Sequence, residues 1–195
     1  MGTWLFFAVI IAAVVYLIAV YNRLISLRNR FKNAFAQIDV QLQRRHDLIP
    51  NLVETAKAYL DHERETLTRV TEARNQAEAA RRDAAAQPDD GAAMDRLGRA
   101  ESLLSGGLSR LLAVSENYPE LKANQTMAEL MEELSSTENR IGFARQAFND
   151  AVMHYNTYRE QFPNNAVSGL FGPFKEARLL EIENPEARQA VNVTF

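Results

Sequence analysis

Gly2 to Tyr21 read GTWLFFAVIIAAVVYLIAVY, and the chain carries no charged side chain before Arg23. Roughly 20 helical residues, each rising about 1.5 Å, reach about 30 Å, the depth of a bilayer's hydrocarbon core. No second run of this kind follows in the 195-residue chain. The expectation is a membrane anchor at residues 1–22 with a charged helical domain behind it. A cleaved secretion signal also opens on apolar residues, but three features argue for retention. No Lys or Arg precedes the run, the run exceeds the 7–15 residues of a signal core, and Tyr21-Asn22-Arg23 offers no small-residue cleavage site. Trp4 near one end, with Tyr16 and Tyr21 near the other, suits the two interfaces of a bilayer.

The span is followed by Arg23, Arg28, Arg30 and Lys32, with no acid until Asp39. A basic flank resists translocation, so the sequence predicts a short outer N-terminus and a cytoplasmic domain, with the four cations as a collar beside anionic headgroups. The absence of cysteine fits a reducing compartment. Charge is polarised. Six basic residues and one acid through His46 leave +5, so a total of −3 puts −8 on the remainder. An acidic body opposes nucleic-acid binding.

Behind the anchor, glycine is absent between Gly2 and Gly91 and proline is absent before Pro50. An apolar stripe runs through Phe31, Phe35, Ile38, Leu42, Ile49, Val53, Ala56, Leu60, Leu67, Val70 and Ala77 in steps of three and four or their multiples, one face of a helix. The stripe keeps its phase across Pro50. One long helix bent at Pro50 is therefore favoured over two helices joined by a hairpin there, which stays open as the alternative. Gln87-Pro88-Asp89-Asp90-Gly91 is a loop, with Asp89 or Asp90 capping a helix from about Ala92 to Asn117. Thr126 and Glu129 form a capping box for a last long helix, whose seam runs from Met127 through Ile141 and Phe148 to Phe162. Pro163-Asn164-Asn165 ends it. The tail, residues 163–195, is expected to be irregular, with a short helical stretch around Lys175 to Glu183. The fold class is all-α: an N-terminal transmembrane helix followed by an elongated antiparallel helical bundle over residues 23–162.

A search for chemistry is mostly negative. No cysteine is present, and the histidines are His46, His62 and His154. His62-Glu63 begins a zinc-protease pattern, but Thr66 stands where the second histidine belongs. No phosphate-binding glycine loop occurs. No catalytic residue, metal site or cofactor is expected. His46-Asp47 reads as a surface or cap pair. Two polar residues interrupt the first stripe, Arg45 and Glu63. Each either snorkels to the bundle edge or joins a buried polar layer, to which Thr137 and Asn156 are candidate contributors.

Three stretches carry a family likeness: Tyr21 to Arg30, Ala36 to Leu42, and Arg44-Arg45-His46-Asp47-Leu48-Ile49-Pro50-Asn51-Leu52-Val53. Asn117-Tyr118-Pro119-Glu120-Leu121-Lys122-Ala123-Asn124, Glu138-Asn139-Arg140-Ile141, Tyr155-Asn156 and Gly169-Leu170-Phe171-Gly172 extend it over nearly the whole chain. In these strings the sequence resembles the LemA family. That family's pattern commonly ends in Pro-x-Val-x-Phe, whereas this chain ends Asn192-Val193-Thr194-Phe195 without the proline. The resemblance implies a bacterial, single-pass, N-terminally anchored protein with a helical-bundle cytoplasmic domain. It supplies no biochemical activity, although a magnetosome-associated branch hints at membrane organisation.

The function expected is non-enzymatic: a scaffold that self-assembles at the cytoplasmic face of the inner membrane and organises or remodels it. Its partners are the lipid bilayer and further copies of itself. The alternative is an adaptor for another membrane protein, a protease or a signalling receptor. Candidate interaction residues are the collar and the segment at the proline, Arg44, Arg45, His46, Asp47 and Pro50.

Overall fold

The structure, a computed structural model, describes residues 2–60, 62–172 and 174–182. Six helices follow one another: α1 (Gly2–Lys57), α2 (Arg64–Ala86), α3 (Gly91–Ser115), α4 (Pro119–Lys122), α5 (Gln125–Glu160) and α6 (Asn164–Leu170). Four of them build the body. Helix α1 packs along α5 and α2, and α2 packs along α3. The all-α reading stands: the described residues contain no strand.

Helix α1 runs unbroken from the apolar segment into the body. Val20 is its first buried residue, followed by Leu24, Leu27, Phe31, Phe35, Ile38 and Leu42. At this level the core is aromatic. Phe148 of α5 meets Phe31 and Phe35 at ring-centroid distances of 6.3 and 5.7 Å, and Tyr155 meets Phe31 at 5.2 Å. Farther from the apolar end the core becomes aliphatic, with Ile49, Leu52, Leu60, Val70, Leu104 and Leu111.

Pro50 lies inside α1 and faces solvent. A proline has no N–H, so the carbonyl four residues earlier, on His46, loses its helical donor. Arg74 of α2 replaces it, its Nε donating to that carbonyl at 3.1 Å. The helix thus passes through Pro50, and the chain reverses later, between the end of α1 at Lys57 and the start of α2 at Arg64. This corrects the single helix drawn through to Ala77. Periodicity could not reveal the break, because Ala56, Leu60 and Leu67 are all buried on both sides of the turn.

Other boundaries shift for local reasons. Asp90 caps α3, accepting from the Ala92 amide at 3.0 Å, while Asp89 is taken by cations of α1. Asn124 caps α5, accepting from the Met127 amide at 2.9 Å, so Thr126, expected as the cap of a box with Glu129, is the second residue of the helix. Phe162 lies beyond the end of α5 and is exposed, not part of the seam.

The tail differs most. Its helix is α6, and residues 174–182 form no helix where a helical stretch was expected. Two asparagines of α5, seven residues apart, grip this strap from its backbone. Asn149 donates to the Leu180 carbonyl at 3.3 Å and accepts from its amide at 2.9 Å. Asn156 does the same with Ala177 at 2.8 and 3.0 Å. On α3 the strap crosses Gly98, where a Cβ would stand 2.4 Å from the Glu181 carbonyl oxygen. Only glycine admits the strap that close. The terminal Asn192 to Phe195 lie outside the described residues.

Candidate functional site

Two features stand out from the body: its apolar end and a buried charged layer midway along it. At the end, the first 18 residues of α1 are exposed on every side. Trp4, Leu5, Phe6, Phe7, Val9, Ile11 and Val15 are each at least 60% accessible. The helix holds an 18-residue window of mean hydropathy 2.7, only 6% of it buried, long and apolar enough to cross a membrane.

The collar divides in two. Arg23 and Arg30 face solvent. Arg28 and Lys32 instead turn toward Asp89 in the α2–α3 loop, Lys32 at 3.1 Å. Burial works against the Asp89 charge, but hydrogen bonds from Arg28 and Lys32 outweigh it and hold its pKa below the ordinary aspartate value.

The charged layer draws on every long helix. Arg45 and His46 of α1 are 1% and 0% exposed, and Glu101 of α3 is 0% exposed. Arg45 donates to Glu101 and, at 2.5 Å, to Glu138 of α5. His46 lies between two carboxylates, with Nδ1 2.9 Å from Glu78 of α2 and Nε2 2.9 Å from Glu101. Both ring nitrogens of His46 therefore face carboxylate oxygens. Arg81 extends the layer, donating to Asp39 at 2.6 Å and to Glu78 at 3.2 Å. Burying so many charges is costly unless each is paired, and here the pairs link α1 to α2, α3 and α5 at one level.

Electrostatics follow from the pairing. The Arg81 hydrogen bond, the largest influence, pulls the Glu78 carboxyl down to about 2 from 4.5, with His46 and Arg82 adding to it against the opposing effect of burial. For Glu101, burial pushes upward, but the His46 hydrogen bond and the Arg45 charge prevail, so its pKa is also lowered. A carboxylate depressed in the folded state contributes stability above its unfolded pKa and loses it as pH falls toward the folded value. The urea midpoint is therefore expected to hold steady above about pH 5 and then decline between pH 4.5 and about 2. Glu78→Gln flattens that decline, and circular dichroism of urea titrations across the range checks it.

The remaining candidate residues are dispersed. Arg44 is exposed and pairs with Glu133 of α5, its Nε at 2.8 Å. Asp47 and Pro50 are exposed. Glu63 is half-buried at the start of α2 and accepts from the Thr66 hydroxyl at 3.4 Å. Thr137 is buried on α5, whereas Asn156 serves the strap. His46 is not the surface or cap residue expected, because Arg45 and His46 together occupy the inner face. Glu78, Arg81, Glu101 and Glu138 were not anticipated from sequence. Glu101 had a usable signal: it stands four residues after Leu97 and three before Leu104, on the apolar face of α3.

His46 and Glu101 have no solvent exposure, so a substrate reaches them only if the bundle opens. Among the described residues no group of three or more His, Cys, Asp or Glu is arranged to hold a metal ion.

The sequence profile of the LemA family matches residues 34–195. Magnetosome proteins MamQ 2 and MamQ 1 of Paramagnetospirillum magneticum are each 25% identical to this chain over 187 residues, covering 88% of it and 68% of their own length. Magnetosome protein MamQ of Magnetospirillum gryphiswaldense is 23% identical over 178 residues, covering 84% of this chain and 65% of its own.

Proposed function

Because this chain belongs to the LemA family, we propose that it is a non-enzymatic membrane scaffold, anchored by residues 1–22 and assembling through its helical body at the cytoplasmic face of a bacterial inner membrane. The observation that carries this reading is the continuity of α1. One helix leaves an exposed apolar segment and enters the aromatic core without a loop. Exposing that segment to water is unfavourable at about 25 cal/mol per Å² of apolar surface, which a lipid surround removes.

Assembly is supported by apolar side chains left on the outside of the body. Val40 of α1 is 58% exposed and Phe143 of α5 is 74% exposed. The antiparallel contacts of Phe35 with Phe148 and Arg45 with Glu138 bracket these two residues, setting them at one height on neighbouring helices. Apolar side chains exposed at one height favour a second copy, since an acidic body gains from apolar contact what it loses to like charge.

The test is particle size in mild detergent by light scattering and electron microscopy. The full-length protein is expected to form particles of several copies, and Val40→Glu with Phe143→Glu to reduce them while helix content stays unchanged. A wild-type monomer across a wide concentration range overturns the scaffold reading.

A further inference from the structure

We infer that the α5–α6 connection, with α6 and the residues just after it, forms a second lipid contact beside the anchor, inserting into the interfacial region of the same bilayer. The inference rests on the anchor reading above.

Its first support is compositional. Residues 161–174 (QFPNNAVSGLFGPF) contain no charged side chain, although 24% of the chain is charged. This uncharged run begins 138 residues after the first charge at Arg23, so proximity to the span is a result of folding alone. Its second support is position. Helix α6 packs against α1. The Tyr16 hydroxyl donates to Oδ1 of Asn164, the first residue of α6, at 3.4 Å. Tyr16 precedes Tyr21 by five residues, roughly 7–8 Å along the helix. The start of α6 therefore lies level with the uncharged part of α1, and not beside the collar. Tyr21 marks the same zone, its ring edge-on to Phe174 at 5.4 Å.

The third support is the division of the side chains. Val167 is 3% exposed and joins the cluster of Val20 and Leu24. Asn164 is buried and donates to the Tyr158 carbonyl at 3.0 Å, so its polarity is internally satisfied. Phe162, Leu170 and Phe171 point away, 87%, 77% and 55% exposed. Apolar side chains held at the height of a membrane boundary, with aromatic rings among them and an exposed cation at Arg23, match the chemistry of an interfacial anchor. A lipid surface is the occupant, because the span that carries these residues also fixes their depth.

The wild-type chain supplies its own control, since Trp4 is its one tryptophan. The full chain is reconstituted into phosphatidylcholine and phosphatidylglycerol vesicles containing phosphatidylcholine brominated near the top of the acyl chains. Wild-type emission reports the anchor through Trp4. The W4F/F171W variant reports the proposed contact. Emission from W4F/F171W is expected to shift to the blue on reconstitution and to lose intensity with brominated lipid. If wild-type emission is quenched while W4F/F171W emission is not, the inference is overturned and the anchor stands. A blue shift without quenching overturns it too, because another copy then covers the patch. If wild-type emission itself is unquenched, the anchor reading fails and takes the inference with it.

Discussion

Arg45→Ala is expected to destabilise the body by about 3–5 kcal/mol, because it strands the fully buried Glu101 carboxylate with its guanidinium partner gone. Globular domains are stable by only about 5–15 kcal/mol, so the variant should approach unfolding near growth temperature. The size of the effect comes from the carboxylate left behind. Removing both charges, with Arg45→Met and Glu101→Leu, is expected to recover much of the loss, since a buried pair replaced by apolar residues of similar volume is often near neutral. Urea denaturation of the full chain in detergent, followed by circular dichroism, separates the two. If Arg45→Ala costs no more than an ordinary surface change, the layer contributes nothing to folding. The double variant also shows whether the layer specifies register. A body that keeps its stability but loses sharp spectral dispersion would have packed helices without a fixed level.

The second large effect concerns the span. Ile11 and Val14 are 63% and 48% exposed, midway along the apolar segment of α1. An arginine near the middle of a membrane helix costs roughly 2.5–3.5 kcal/mol on insertion scales, so Ile11→Arg with Val14→Arg removes roughly 5–7 kcal/mol of insertion free energy. The wild type is expected to stay in the membrane pellet after alkaline carbonate extraction, and the double variant to move to the supernatant with its helix content intact. A variant that remains with the bilayer would mean that residues 2–21 are not the anchor.

Much of the fold is legible in the sequence, because spacing at three and four residues records which face is buried. Phe31, Phe35, Ile38, Leu42, Ile49 and Val53 are all core residues of α1. The stripe is silent about where a helix ends when apolar residues continue through the turn, as Leu60 does. The strap was illegible for a different reason. Lys175 to Glu183 has helix-forming composition, but residues 174–182 are held by tertiary contacts, the side chains of Asn149 and Asn156 on one flank and the missing Cβ of Gly98 on the other. Local propensity yields to such contacts. The charged layer was half legible. Arg45 announced itself by breaking the stripe. Its partners lie on α3 and α5, 56 to 93 residues away, and no single-sequence period links them.

The unbroken passage of α1 has a mechanical corollary. On the anchor reading proposed above, no swivel lies at the lipid boundary, and the tilt of the inserted part and that of the body are one and the same angle. The 35 residues beyond Asn22 form a stiff post roughly 50 Å tall. Posts planted upright in a bending sheet crowd their far ends together on the concave side and splay them on the convex side. The spacing between neighbouring bodies then reads local curvature, and any attraction between them acts back on it as a torque.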